Sequence, residues 1–304
     1  MDATRRDVWQ GAAAAAGALL LGAGPSGAAM PAMRAIPSTG DQLPLVGLGS
    51  WITFNVGRDA KLRDESVAVM QAFFDGGGRL IDSSPMYGSA PATIGYGLAK
   101  LHHPKQLFSA EKVWISDAAS GPRQIKKSLS DWGLPAFDLL QIHNLVSWEQ
   151  HLEMLRSMKQ AGRLRYIGIT TSHGRRHADL ARIMQSERLD FIQLTYNIAD
   201  REAEQRLLPI ARERGIAVIV NRPFQGGDLI ERLARRHLPP WVAEIGAATW
   251  AQFLLRFVIS HPAVTCAIPA TTRVDHVREN LAAATAVMPD QALRQRMASY
   301  VRQL

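Results

Sequence analysis

The chain has 304 residues, long enough for one large core or two smaller ones. Hydrophobic residues make up 47% and charged residues 20%, a globular balance that excludes a disordered, collagen-like or coiled-coil chain. One cysteine, Cys266, excludes an intramolecular disulfide and a cysteine-rich metal site, while the +8 net charge suits an anionic ligand, nucleic acid or a membrane surface.

The first 29 residues differ from the rest. Arg5 and Arg6 precede a run from Gly11 to Ala23 made only of Gly, Ala and Leu, and Pro25, Gly27, Ala28 and Ala29 follow. Charged, then apolar, then small is the order of a secretory signal peptide. The apolar run is about 13 residues, short of the roughly 20 that span a bilayer. Thr4-Arg5-Arg6-Asp7-Val8-Trp9 and the weak hydrophobicity of the run resemble a twin-arginine export signal. The alternative, an amphipathic helix, lacks a polar face between Gly11 and Ala23. The expectation is a signal peptide over 1–29, cleaved near Ala29, a short linker over 30–42, and a domain over 43–304. Export by the twin-arginine machinery would leave the protein periplasmic or secreted. Arg5 and Arg6 offset Asp2 and Asp7, so cleavage preserves the net charge.

From Leu43 onward, short apolar runs alternate with longer amphipathic ones. Strands are predicted over 45–50, 79–83, 107–110, 139–143, 166–170, 191–196, 217–221 and 265–268. These runs are rich in Val, Ile and Leu without polar alternation, as in a parallel sheet covered on both faces. Helices are predicted over 66–75, 122–132, 148–161, 201–214 and 274–284, several of them stopped by glycine. Arg294, Arg296 and Arg302 read as one face of a surface helix. Eight strands alternating with helices over about 260 residues predict an α/β fold, a (β/α)8 TIM barrel. An open doubly wound sheet would need a third glycine after Gly47 and Gly49 to complete its phosphate turn, and none is present.

Chemistry in such a barrel gathers at the C-terminal ends of strands. Asp82, Tyr87, Lys112 and His143 fall in or just after three consecutive predicted strands. Each alone is as readily a cap, a packed ring or a surface charge; their shared placement singles them out. The segments 81–88 (IDSSPMYG), 109–114 (SAEKVW) and 139–144 (LLQIHN) resemble motifs of the aldo-keto reductases. So do 162–169 (GRLRYIGI), 193–197 (QLTYN) and the stretch from Ile268-Pro269 to Glu279-Asn280. The resemblance spans roughly 43–285.

The resemblance implies that Asp82, Tyr87, Lys112 and His143 are a catalytic tetrad for carbonyl reduction. Tyr, with an ordinary pKa near 10, keeps its proton at neutral pH yet can donate it. A neighbouring Lys⁺ favours the tyrosinate left behind, and Asp82 would hold that Lys. His143 would orient the carbonyl, so that Tyr87 and His143 act like an oxyanion hole, where one donor is worth about 3 kcal/mol. No side chain delivers a hydride, so a nicotinamide cofactor is required. The family usually uses NADPH, and NADH is the other form.

By the same resemblance, Thr170, Thr171 and Gln193 would touch the cofactor's carboxamide. Asn221, Arg222, Pro223 and Phe224 match a segment that often stacks an aromatic ring on the nicotinamide. Ile268, Pro269, Thr271, Thr272 and Arg273 match the adenosine-phosphate site, with Arg273 facing a 2′-phosphate. Glu279 and Asn280 match adenine contacts. Trp51, Phe54 and Trp114 follow strand ends and are expected to wall a pocket for an apolar carbonyl.

His102, His103, His173 and His177 lack partners at metal-ligand spacing, and Arg175-Arg176 and Arg235-Arg236 lack a nucleic-acid module. The expected partners are therefore a small carbonyl substrate and the export machinery, with neither metal nor nucleic acid, and the expected state is a monomer. Two rivals remain: a nicotinamide-binding accessory barrel with vestigial chemistry, and a metal-dependent barrel hydrolase. The first expects a damaged tetrad and the second a ligand cluster.

Overall fold

Residues 31–285 and 288–304 are described by the computed structural model. The expected export signal over residues 1–29 lies outside them. Among the described residues, strands β3 (Leu48–Gly49), β4 (Leu80–Asp82), β5 (Phe108–Val113), β6 (Leu139–Ile142), β7 (Tyr166–Thr170), β8 (Phe191–Thr195), β9 (Ala217–Asn221) and β10 (Cys266–Ala267) form one parallel sheet in chain order. Bridges Val46–Ala267 and Gly49–Ala270 bring its two ends together. This is the expected (β/α)8 barrel.

Every residue of β4 to β8 is buried. Residues pointing inward fill the barrel and residues pointing outward meet the helices, which is why these strands lack polar alternation. Leu80, Phe108, Leu139, Tyr166, Phe191 and Ala217, near the starts of their strands, form an inner cluster. The Phe108, Tyr166 and Phe191 rings lie 5.5–6.0 Å apart within it.

A hairpin closes that end. β1 (Met33–Ala35) pairs antiparallel with β2 (Gln42–Pro44), and Ile36 and Leu43 join the inner cluster. The Tyr166 hydroxyl meets Thr39 Oγ1 at 2.8 Å and donates to Asp41 Oδ2 at 2.6 Å. The stretch expected as a linker over 30–42 is thus mostly a plug. Strands of three residues are too short to show a period in sequence.

The helices are α1 (Ala60–Asp75), α2 (Ala90–Lys100), α3 (Gly121–Trp132), α4 (Trp148–Gln160), α5 (His177–Ser186), α6 (Leu207–Arg214), α7 (Asp228–Leu233), α8 (Trp250–Ile259), α9 (Val274–Ala282) and α10 (Gln291–Arg302). α6 starts later than the expected 201, after a short turn at Glu202–Glu204. Pro209 has no N–H for an upstream carbonyl, so it suits a first turn. In α10 the three arginines do not share a face. Residues two apart on a helix point roughly 200° apart, and Arg294 is buried, donating to the Tyr196 hydroxyl and pairing with Glu204.

Candidate active site

β4 ends on Asp82, whose carbonyl accepts from Ser50 Oγ at 2.8 Å. The chain then turns through Ser83–Gly88. Tyr87 N donates to Ser84 O at 2.9 Å. Gly88 has φ +62°, and a Cβ there would lie 2.4 Å from Asn55 Oδ1, so only glycine suits the turn that presents Tyr87. Lys112 sits inside β5 rather than after it, and its ammonium is buried beside the Tyr87 ring.

Lys112 Nζ lies 2.5 Å from Asp82 Oδ2 and donates to Ser83 O at 2.6 Å. Both side chains are buried. Nζ is 5.2 Å from the Tyr87 ring centroid. His143, directly after β6, meets the Tyr87 ring edge-on with centroids 5.8 Å apart. Its Nδ1 lies 2.8 Å from Ser84 Oγ. The structure therefore brings the four expected side chains together.

Two glutamines complete the support of Asp82. Gln193 Nε2 donates to Asp82 Oδ1 at 2.8 Å and Gln141 Nε2 at 3.3 Å. Gly168 stands beside Gln141 on β7. A Cβ at Gly168 would come within 2.8 Å of Phe191 O and 3.2 Å of Gln141 Cγ, so this glycine makes the room Gln141 occupies. The Gln193 amide, expected on a cofactor, is committed through Nε2 to Asp82.

Charges follow from burial and neighbours. Burial raises the Tyr87 pKa, with Lys112 pulling the other way, so the phenol holds its proton at neutral pH. Burial works against the Lys112 ammonium, but Asp82 and Tyr87 outweigh it and hold its pKa above the ordinary value. Burial, helped by the Lys112 charge, pushes His143 down to about 3, leaving a neutral imidazole. Glu111 points to the other side of β5, accepting from Lys112 N and Trp132 Nε1, each at 2.8 Å. Burial pushes its carboxyl up to about 8.

The site opens into a cavity of about 660 Å³. Asp82, Tyr87 and His143 line it, with Trp51 at 40% exposure, a residue in contact with both cavity and solvent. So do Thr170, Thr171, Gln193 and the segment Asn221–Phe224. Further along are Ile268, Pro269, Thr271, Glu279 and Asn280. Asn221 is tied down, accepting from Thr195 Oγ1 at 2.6 Å and donating to Thr171 O at 2.9 Å. Thr171 Oγ1 is buried and has no partner among the described residues.

Besides Lys112, which is buried beside the Tyr87 ring, four expected residues stand apart from this wall. Phe54 is 1% exposed and belongs to the outer core. Trp114 is exposed away from the cavity, its backbone held by the Gln124 amide. Thr272 is outside the lining, and Arg273 points to solvent in a two-pronged pair with Asp275. A position just past a strand end does not say which way a side chain turns. Conversely, Ser84, Gln141 and Glu111 escaped sequence reading, because their partners lie on other strands or helices.

The sequence pattern of the aldo/keto reductase family matches residues 45–299. The chain belongs to the aldo/keto reductase family. This aldo/keto reductase is 28% identical over 258 residues to methylglyoxal reductase YeaE of Escherichia coli, covering 82% of this chain and 88% of that one. It is 27% identical over 247 residues to the NADH-specific methylglyoxal reductase of the same organism, covering 68% and 72% of the two chains. An aldo/keto reductase from Klebsiella pneumoniae, solved with NADP and acetate, shares its fold at a TM-score of 0.74. That likeness is 24% identical and covers 86% of this chain and 93% of the other.

Proposed function

We propose that this protein reduces aldehydes or ketones to alcohols with a nicotinamide cofactor. The observation that carries this reading is the buried Asp82–Lys112 pair beneath Tyr87 and His143, opening on one cavity. When bound, reduced nicotinamide supplies the hydride, which no side chain can. Tyr87 donates the proton to the carbonyl oxygen, and Lys112 favours the phenolate that remains. Asp82, fixed by two glutamine amides, keeps the ammonium from leaving. Neutral His143 serves as a second donor to the oxygen, since a charged imidazolium would be costly in so buried a site.

The residues present fit the cofactor. The Thr171 hydroxyl, buried on the wall without a partner, suits an amide group. Thr170 and Asn221 lie beside it, and Ile268, Pro269, Thr271, Glu279 and Asn280 would hold the adenosine end. Arg273 is the residue that would select NADPH, by turning from exposed Asp275 to a 2′-phosphate. Pairs exposed to water are only weakly held, so the turn is accessible, and NADH use requires no turn at all.

Purified protein with methylglyoxal or an aromatic aldehyde is expected to consume the absorbance of NADPH or NADH. Tyr87→Phe should lower turnover by roughly 10²–10⁴-fold while leaving cofactor affinity nearly intact. Wild-type turnover in that variant would sink the proton-donor assignment. We also infer export by the twin-arginine route, supported by Arg5-Arg6 and the Gly/Ala-rich run. Changing both arginines to Lys should retain the precursor in the cytoplasm; unchanged export would refute the route.

A further inference from the structure

The proton position on His143 can be assigned from its neighbours. Its Nδ1 lies 2.8 Å from Ser84 Oγ, and Ser84 Oγ accepts from Met86 N at 3.2 Å. Ser84 is fully buried. A hydroxyl has one hydrogen to give and two lone pairs. The Met86 amide uses a lone pair. Among the described residues, His143 Nδ1 is the acceptor left for the hydrogen. Were Nδ1 itself protonated, Ser84 would accept twice and its own hydrogen would be buried without a partner. That loss favours the other tautomer by roughly tenfold or more.

We propose that Ser84 is a positioning residue that holds His143 as its Nε2–H tautomer, so that the ring offers an N–H donor to the cavity. Nε2 has no hydrogen-bond partner among the described residues, and His143 lines the cavity wall. The Ser84 backbone carbonyl also accepts from the Tyr87 backbone N–H. One residue of the turn after β4 thus orders both groups that would meet a carbonyl oxygen. With the opposite tautomer, Nε2 would turn a lone pair toward the lone pairs of that oxygen. The catalytic consequence rests on the reductase reading; the tautomer does not.

The test is a long-range hydrogen–nitrogen correlation spectrum of the ¹⁵N-histidine-labelled protein. The chain has nine histidines, so His143 is assigned by its loss in His143→Gln. Native protein should show Nε2 protonated and Nδ1 as the acceptor nitrogen. Ser84→Ala, which removes an atom without adding bulk, should show mixed or inverted tautomers. Its kcat should fall by roughly ten- to a hundredfold with cofactor affinity unchanged, as when a buried partner stops orienting a histidine. A native Nδ1–H, or a Ser84→Ala protein with unchanged tautomer, overturns the assignment. A shifted tautomer with unchanged kcat overturns the positioning role. If native protein shows the Nε2–H form but reduces no carbonyl, the reductase reading falls and the tautomer stands.

Discussion

Asp82 and Lys112 are both buried, and their pairing is not a simple source of stability. Removing two ions from water costs about as much as their attraction returns. What makes the pair tolerable is satisfaction: Asp82 receives the ammonium and two amides, and Lys112 also donates to Ser83 O. Breaking it from one side leaves an uncompensated carboxylate. Lys112→Met is therefore expected to cost about 3–5 kcal/mol at neutral pH, measured by denaturant unfolding. A variant as stable as the parent at pH 7 would place the stability elsewhere. Asp82, Tyr87, Lys112 and His143 could be grouped from sequence because each lies in, or shortly after, one of three consecutive strands. Ser84 and Gln141 were not, since their roles depend on His143 and Asp82, 59 positions away in each case.

Among the elements, long buried strands were the readable ones. β7 and β9 run over the residues their apolar runs predict. β3 and β10 shrink to two residues each, and two glycines stand in and just before β3. A Cβ at Gly47 would lie 2.9 Å from Leu80 O, and one at Gly49 would lie 2.7 Å from Ile268 O. The two glycines whose spacing suggests an incomplete phosphate loop are instead where backbones approach closely at the seam of the barrel. Spacing alone does not separate these two uses of glycine. The β1–β2 plug was illegible for a different reason. Its fixing contacts run from Ile36, Thr39 and Asp41 to residues as distant as Tyr166. Trp114 and Phe54 show the same limit in reverse, since strand-end position without side-chain direction placed them in a pocket they do not line.

Across the whole molecule the plug stabilises one end of the barrel and the chemistry occupies the other, but buried titratable groups couple both to pH. Burial pushes Glu111 from 4.5 up to about 8. It pushes His143 and His261 from 6.5 down to about 3 and about 4. Between 4.5 and 8 the folded chain keeps a proton on Glu111 that the unfolded chain releases, so this group makes stability fall as pH rises. Below 6.5 the unfolded chain protonates two histidines that the folded chain leaves neutral, so they make stability fall as pH drops. Two histidines outweigh one carboxyl below 6.5, and between 6.5 and 8 Glu111 leads, before the buried Cys266 thiol, which burial raises from 9.0, adds its own loss near pH 9. Lys112 is raised above 10.5, so its contribution is lost only in stronger alkali. Stability should therefore peak at mildly acidic pH and decline toward pH 8. Glu111→Gln lowers the whole curve, because one of its two accepting oxygens is lost, but it removes the titration. Melting temperatures taken between about pH 4 and 8 should show the decline above 6.5 in the parent and its absence in Glu111→Gln. An equal decline in both proteins would assign the alkaline limb to another group and leave Glu111 ionised throughout.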